Sequence, residues 1–233
     1  MVSRETSGGE TPPLPQWMTP AATGLGRYAE ILTGPGIERG LLGPREAPRI
    51  WDRHILNCAV VADPGLGLLP TGATVADIGS GAGLPGLVWS LVRPDLTVVL
   101  IESLLRRATF LTECVHELGL VDRVQVVRDR AESVSGGPGK TRGGRPGTVD
   151  VVTARAVAPL GTLVEWGAPL LAEGGLLIAL KGESAAEEVE RDREQVERWG
   201  LQDVQVGQVG QGIVDPATTL VTARRRGRPA TAQ

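Results

Sequence analysis

The sequence predicts an α/β fold with a doubly wound, parallel sheet and a short helical extension in front of it. Short apolar runs alternate with helix-like segments over residues 75–180. A glycine-rich turn follows the first apolar run, and an acidic residue ends the second. Because parallel strands need crossover connections, this alternation favours helices on both faces of one sheet, with right-handed crossovers.

Length and composition limit the class of protein. The chain has 233 residues, of which 41% are hydrophobic, enough for one domain with a substantial core. The formal net charge of −3 argues against a surface that is basic all over, but it allows a local basic patch. Cys58 and Cys114 lack metal-ligand spacing, so we expect no metal site. No apolar run approaches the roughly 18 residues of a membrane span, so we expect a cytoplasmic protein without a membrane partner. We also expect it to be a monomer.

The residues before the sheet are predicted to form a tail and a helical cap. Residues 1–20 are rich in Gly, Pro and Thr and are expected to be a disordered tail. Residues 21–63 are predicted to form the cap. Its first helix spans residues 21–32 and ends at the Gly-Pro-Gly of residues 34–36, and its second spans residues 50–62.

Residues 64–224 are predicted to form the main domain, followed by a basic tail over residues 225–233. The predicted strands span residues 75–78, 97–101, 123–127, 149–153, 176–180, 204–209 and 218–223. The predicted helices span residues 85–92, 103–118, 160–171 and 184–199, with a short turn or helix at residues 131–132. The last two strands are expected to form a closing pair, and residues 135–148 a flexible surface loop.

The glycine-rich turn is the strongest functional signal in the chain. Gly79, Gly81, Gly83 and Gly86 follow the first strand, and glycine lets a ligand approach the backbone without a Cβ in the way. The turn therefore brings backbone N–H groups and a helix N-terminus to one place. The last three glycines fit the dinucleotide pattern G-x-G-x-x-G, which on its own is a weak signal. A turn that only packs a helix on a strand is the structural alternative.

Two acidic residues bear on the kind of ligand. A carboxylate at the position of Asp77, near the end of the first strand, would repel a dinucleotide pyrophosphate but suits a ligand that carries an ammonium and a sulfonium. Glu102 ends the second strand about 20 residues after the glycines, where an acid hydrogen-bonds ribose hydroxyls. The pattern Asp-x-Gly-x-Gly-x-Gly resembles the first motif of methyltransferases that use S-adenosylmethionine (SAM).

A more specific resemblance covers residues 50–182. The segment DIGSGAGLPG at residues 77–86 resembles a block of the bacterial small-subunit rRNA guanine-N7 methyltransferases, also called the glucose-inhibited division protein B family. Further segments match that family in order, at residues 102–107, 131–132, 153–156 and 180–182. The chain departs from the family pattern at Asn57 and Cys58, where an Asp-Ser pair is usual. The resemblance implies a Rossmann-like class I SAM-dependent methyltransferase sheet.

The resemblance also implies an activity and a set of site residues. The expected reaction moves the methyl group of SAM to N7 of a specific guanine in 16S rRNA, near the decoding region, in free rRNA or in the small ribosomal subunit. By family position or by the arguments above, the expected SAM-binding residues are Asp77, Gly79, Gly81, Gly83, Leu84, Glu102, Ser103, Ala131, Glu132 and Arg155. The candidates for contact with RNA are Arg155, Lys181 and His54.

Each RNA candidate has a structural alternative: an ion pair for Arg155, a solvated surface residue for Lys181, and a core position for His54.

Guanine N7 has a lone pair and no proton to remove, so we expect catalysis by alignment, without a catalytic residue in the usual sense. Three other functions stay open. They are methylation of a small molecule, RNA binding by a non-catalytic protein with a relict pocket, and a reductase that uses NAD(P).

Overall fold

The computed structural model describes residues 11–134 and 148–226. Seven strands in these residues form one mixed sheet, which confirms the α/β fold class. The strands are β1 (Thr74–Ile78), β2 (Thr97–Ile101), β3 (Val124–Val127), β4 (Val149–Arg155), β5 (Leu171–Lys181), β6 (Leu201–Val209) and β7 (Thr218–Arg225).

Helices connect these strands and precede them. The α-helices are α1 (Ala22–Ile31), α2 (Asn57–Ala59), α3 (Gly86–Val92), α4 (Leu105–Glu117), α5 (Ala131–Val134), α6 (Leu160–Gly167), α7 (Ala185–Arg191) and α8 (Arg193–Arg198). Segments of 3-10 helix lie at Gln16–Ala21, Pro44–Arg49, Val60–Ala62, Pro64–Leu66 and Ala168–Leu170. Wider π-helical segments lie at Leu32–Gly36 and Ile50–Leu56, so that residues 50–62 are helical without a break, as predicted.

The strand order β3-β2-β1-β4-β5-β7-β6 creates a crevice at the middle of the sheet. β1 pairs in parallel with β2 on one side and with β4 on the other. The chain moves outward from β1 in one direction and from β4 in the other, so the loops after these two strands diverge at the carboxyl edge, where such sheets bind ligands. β7 pairs antiparallel with both of its neighbours, β5 and β6, so it runs against the other described strands, and it forms the predicted closing pair with β6.

Two hydrophobic clusters cover opposite faces of the sheet. One cluster combines the N-terminal helices with α3 and α4 and includes the fully buried Tyr28, Trp89 and Phe110. The other packs α6 against the opposite face through Leu163 and Val164. Because both faces are covered, the central strands consist almost entirely of apolar residues.

The N-terminal region differs from the prediction in two places. Residues 16–20 were expected to belong to a disordered tail, but they form 3-10 helix, and Met18 is fully buried in the first hydrophobic cluster. Burial of this apolar side chain outweighs the polar composition around it. The Gly-Pro-Gly of residues 34–36 does not end the helical backbone: α1 ends at Ile31 and continues as a π-helical segment that accommodates Pro35, which cannot continue the regular hydrogen-bond ladder.

Two further differences lie at element ends. The predicted helix over residues 103–118 includes Leu104, but this residue precedes α4 and is 54% exposed. Arg225 was assigned to a basic tail, but it ends β7 and its guanidinium donates to the Ala168 carbonyl. Strand pairing with β6 continues through this residue.

Residues 1–10, 135–147 and 227–233, which include most of the predicted tails and loop, lie outside the described residues. In the described ranges, no helix combines the length and the apolar character that a bilayer crossing needs.

Candidate functional site

The glycine-rich loop between β1 and α3 folds back onto the end of β2. The backbone N–H groups of Gly79 and Ser80 both donate to the Ile101 carbonyl, at 2.8 and 3.2 Å. Gly79 and Gly81 have φ values of 67° and 58°, which side-chain-bearing residues rarely adopt. A Cβ on Gly81 would meet only the Gly79 carbonyl, at 3.8 Å, so the space beside the loop is open to a ligand.

Glu102 follows β2 directly and lies against this loop. Its carboxylate is almost fully buried and accepts hydrogen bonds from the Gly81 N–H at 3.1 Å and from the Leu104 N–H at 2.9 Å. Arg107 lies 3.9 Å away and supplies a partly exposed positive charge. A carboxylate has about four lone-pair sites, so these contacts leave acceptor capacity for the hydroxyl groups of a ribose.

Asp77 lies behind the loop and is fully buried. One carboxylate oxygen accepts from the Gly86 N–H at the start of α3, at 3.0 Å, whereas the other has no hydrogen-bond partner among the described residues. The Ser80 hydroxyl donates to the main-chain oxygen of Asp77. Burial raises the pKa of the Asp77 carboxyl to about 7. A buried carboxylate with a free oxygen favours a nearby positive charge, so this environment fits a sulfonium-bearing cofactor such as SAM.

The other predicted cofactor residues follow the ends of neighbouring strands. Leu84 is buried in the loop after β1, and Ser103 is exposed just after β2. Ala131 is buried at the start of α5, which follows β3, whereas the next side chain, Glu132, is about half exposed. Since β1, β2 and β3 are adjacent and parallel, these residues share one edge of the sheet with the glycine loop.

A cavity of about 830 Å³ opens beside the ends of β4 and β5. Val157 belongs to its lining and also packs against Gly79, where an added Cβ would lie only 2.2 Å from a Val157 methyl group. The cavity therefore borders the glycine loop. Five basic and three acidic residues line it: Arg49, Arg53, Arg155, Lys181, Arg191, Asp52, Glu188 and Asp215. This excess of positive charge suits an anionic substrate such as a nucleic acid.

Arg155 ends β4 and connects the sheet to the N-terminal helices. Its Nη2 donates to the Arg53 carbonyl at 2.8 Å and lies 3.2 Å from His54 Nδ1. Its Nη1 lies 3.3 Å from the Cys58 sulfur. Two of the predicted substrate-side residues, Arg155 and His54, are therefore in direct contact.

His54 occupies a largely buried position with polar partners on both ring nitrogens. Its Nε2 lies 2.8 Å from a carboxylate oxygen of Glu46, in the preceding 3-10 segment. Burial is the main cause that lowers the pKa of the imidazole, and Arg155 and Arg53 act in the same direction, whereas Glu46 raises it. His54 is therefore a satisfied buried histidine, one of the two expected alternatives. Sequence patterns missed Glu46, because nothing local distinguishes it from a surface glutamate.

Lys181 is placed differently from both of its expected roles. It is the last residue of β5, and its ammonium donates to the Ala158 carbonyl at 2.9 Å and to Glu188 at 2.8 Å. Its side chain is only 10% exposed, so it is neither a solvated surface residue nor a free cation for a phosphate. Burial alone would raise the pKa of Glu188, but the Lys181 and Leu160 hydrogen bonds lower it.

Comparison with known proteins gives a consistent family. A model of the family described as rRNA small subunit methyltransferase G matches residues 22–216. A protein named ribosomal RNA small subunit methyltransferase G from Salinispora tropica is 52% identical over 222 residues, which covers 92% of this chain and 88% of the relative. A protein of the same name from Thermobifida fusca is 52% identical, with 91% of this chain and 80% of the relative covered.

Solved structures support the fold. The SAM-dependent methyltransferase SibL, in its apo form, superposes with a TM-score of 0.57 at 17% identity, covering 85% of this chain and 62% of that one. A SAM-dependent O-methyltransferase from Thermotoga maritima superposes with a TM-score of 0.54 at 16% identity, covering 79% and 71%. At such low identity the likeness shows a shared fold and nothing about the substrate.

Proposed function

Because this chain belongs to the rRNA small subunit methyltransferase G family, we propose that it transfers the methyl group of SAM to N7 of a guanine in 16S rRNA. The observation that carries the proposal is the contact between Glu102 and the Gly81 N–H, at 3.1 Å. It joins the acid that would bind a ribose to the loop that would hold the rest of the cofactor.

The cofactor would be held from two sides. Glu102 would accept hydrogen bonds from the ribose hydroxyls, while the free oxygen of Asp77 would favour the positive charge of the ligand. The loop glycines, with Leu84, would line the pocket, and Ser103, Ala131 and Glu132 would lie toward the adenine. Arg155 would lie between this pocket and the basic cavity.

The reaction requires little acid–base chemistry from the protein. Bound SAM supplies a methyl group on a sulfonium, and the attacking nitrogen of guanine already carries a lone pair. The residues of the chain would therefore act by aligning the guanine nitrogen with the methyl group and by excluding water. Alignment lowers the activation barrier through proximity. The basic cavity beside the loop would receive the guanine and its phosphates, with Arg49 and Arg53 as its partly exposed cations. A substrate in 16S rRNA supports a cytoplasmic location.

The test is methyl transfer from labelled SAM to small ribosomal subunits from cells that lack this gene. We expect label in 16S rRNA, recovered as 7-methylguanosine after nuclease digestion and mass spectrometry. Label that enters only small metabolites would contradict the proposal, and so would SAM binding without transfer to any RNA. Sedimentation with and without RNA would test the expected monomer.

A matched pair of variants links the activity to the site. Glu102→Gln keeps the size of the side chain but removes the charged acceptor, and we expect it to weaken SAM binding at least tenfold by calorimetry. Glu113→Gln removes an exposed carboxylate on α4 that pairs with Arg39, and binding should be unchanged. Equal affinities in the two variants would remove Glu102 from the site.

A further inference from the structure

Three side chains from different elements form a continuous chain beside the basic cavity. Glu46 comes from the 3-10 segment Pro44–Arg49, His54 from the π-helical segment Ile50–Leu56, and Arg155 from the end of β4. His54 contacts Glu46 through Nε2 at 2.8 Å and Arg155 through Nδ1 at 3.2 Å. Arg155 lines the cavity, whereas His54 and Glu46 do not.

The geometry determines where the proton of the imidazole lies. An arginine guanidinium carries only donors, so His54 Nδ1 must accept from Arg155 and cannot itself carry a proton. The proton of a neutral imidazole then lies on Nε2, where Glu46 accepts it. Each partner favours the same neutral tautomer, and the side chain of His54 is largely buried.

We infer that Glu46 and His54 are positioning residues, which act by holding the Arg155 guanidinium at the boundary between the cofactor loop and the substrate cavity. Glu46 orients the imidazole, and the lone pair of His54 Nδ1 orients the guanidinium. The Arg53 carbonyl provides a second acceptor at 2.8 Å, so Arg155 is fixed from two directions. Protonation of Nδ1 would replace an acceptor with a donor and set two cations against each other.

The charges around His54 support this arrangement. Glu46 faces it from the 3-10 segment, Arg155 from β4, and Arg53 is its neighbour in the chain. Burial and the two arginines lower the pKa of His54, and Glu46 partly offsets them. His54 is therefore neutral at pH 7, and the arrangement is lost only as the pH falls through the lowered pKa.

A direct test measures the tautomer and the pKa of the His54 imidazole by NMR. The chain has two histidines, and the other, His116, is exposed on α4, so His116→Asn leaves His54 as the only histidine signal. In this variant, nitrogen NMR should show the Nε2–H tautomer at pH 7.5 and a pKa below 6.5. Adding Arg155→Met should raise that pKa, and adding Glu46→Gln should lower it. An Nδ1–H tautomer, or a pKa that neither substitution moves, would overturn the inference.

The kinetic consequence rests on the proposed function, so it is measured separately, with 16S rRNA in small subunits as substrate. We expect His54→Leu to lower kcat/KM about tenfold but to have little effect when Arg155→Met is already present, because His54 acts through Arg155. His54→Asn, whose amide oxygen can accept from Arg155, should stay within about threefold of the wild type. Equal losses in both Arg155 backgrounds would mean that His54 does not act through Arg155.

A pH profile completes the test and separates it from the proposed function. At saturating SAM, wild-type kcat/KM for the RNA should fall as the pH drops through the lowered pKa of His54, since protonated His54 no longer accepts from Arg155, whereas His54→Asn should lack this acid limb. The His116→Asn variant is the control and should keep the wild-type profile. If the protein methylates no rRNA, the proposed function fails, yet the NMR result still decides whether the three residues form this chain. If His54→Leu does not fold, His54→Asn and the NMR series decide.

Discussion

Gly79 shows how a single position joins the glycine-rich loop after β1 to the loop after β4. Its φ of 67° lies in the left-handed region, and the side of the residue where a Cβ would point is filled by Val157. An added Cβ would lie 2.2 Å from one methyl carbon of Val157 and 3.0 Å from its Cβ. The loop after β1 and the loop after β4 therefore pack against each other without space for one more carbon.

Replacement of Gly79 by alanine should damage both stability and binding. We expect Gly79→Ala to cost about 1–3 kcal/mol of unfolding free energy through backbone strain and overpacking. SAM affinity should fall at least tenfold because the loop must shift. Val157→Ala in the same chain should restore part of both losses, since it removes the nearest methyl group. Urea unfolding and calorimetry measure the two effects.

Gly81 provides the matched control for this prediction. It has a similar φ of 58°, but no atom lies closer than 3.8 Å to an added Cβ. Gly81→Ala should cost only about 1 kcal/mol of stability, from strain alone, and Val157→Ala should not rescue it. If Val157→Ala rescued both variants equally, the contact with Val157 would not explain the sensitivity of Gly79.

At the scale of elements, the charged segment of residues 184–199 caps the start of α6. The sequence predicts one helix there, but the structure divides it into α7 and α8 at Asp192. Asp192 accepts from the Gly161 N–H at 2.8 Å, and Glu188 accepts from the Leu160 N–H at 2.9 Å. These two carboxylates satisfy N–H groups of the first turn of α6, which has no side-chain cap of its own.

Loss of this cap should destabilise the protein in a way that the loss of a surface charge does not. Asp192→Ala should lower the unfolding free energy by about 1–2 kcal/mol, because a helix N–H loses its acceptor. Glu190→Ala removes a carboxylate whose only described ion pair, with Arg193, is exposed, and should cost less than about 0.5 kcal/mol. Equal midpoints for the two variants in urea unfolding would contradict the capping role.

At the scale of the whole molecule, side-chain hydrogen bonds connect the N-terminal helices to the glycine-rich loop, to α3 and to β7. The Tyr28 hydroxyl on α1 donates to the Ala82 carbonyl in the glycine loop, at 2.7 Å. The Trp89 indole on α3 donates to the Cys58 carbonyl at 2.9 Å. The Asn57 amide donates to the Thr218 hydroxyl on β7, at 2.8 Å. Of these contacts, the Tyr28 hydrogen bond joins the helical cap directly to the glycine-rich loop.

The Tyr28 contact makes this support testable. Tyr28→Phe keeps the ring in the core but leaves the Ala82 carbonyl without its donor, which should cost about 1–3 kcal/mol of stability. SAM affinity should fall several-fold, because the loop loses one of its fixed points. Thermal unfolding with and without SAM measures both quantities. A variant with wild-type affinity and stability would show that the cap does not support the loop.

Some parts of the structure can be predicted from the sequence and others cannot, for physical reasons. The strands of the sheet were predicted because buried parallel strands are short and apolar, and their crossover helices carry their own apolar periodicity. Asp77 and Glu102 are predicted site residues because their positions near strand ends place them at the edge of the sheet where ligands bind. Met18 was missed, since its burial depends on distant partners and the residues around it resemble a disordered tail.

Local patterns alone determined the fold class, the glycine-rich loop and, through matching motifs, the methyltransferase family, because each of these depends on residues close together in the chain. Only the tertiary structure decided that Lys181 is paired with Glu188 and that Glu46, His54 and Arg155 form one chain. His54 and Arg155 are 101 residues apart, and their contact exists because the N-terminal helices pack over the carboxyl end of β4. No local pattern encodes such a contact.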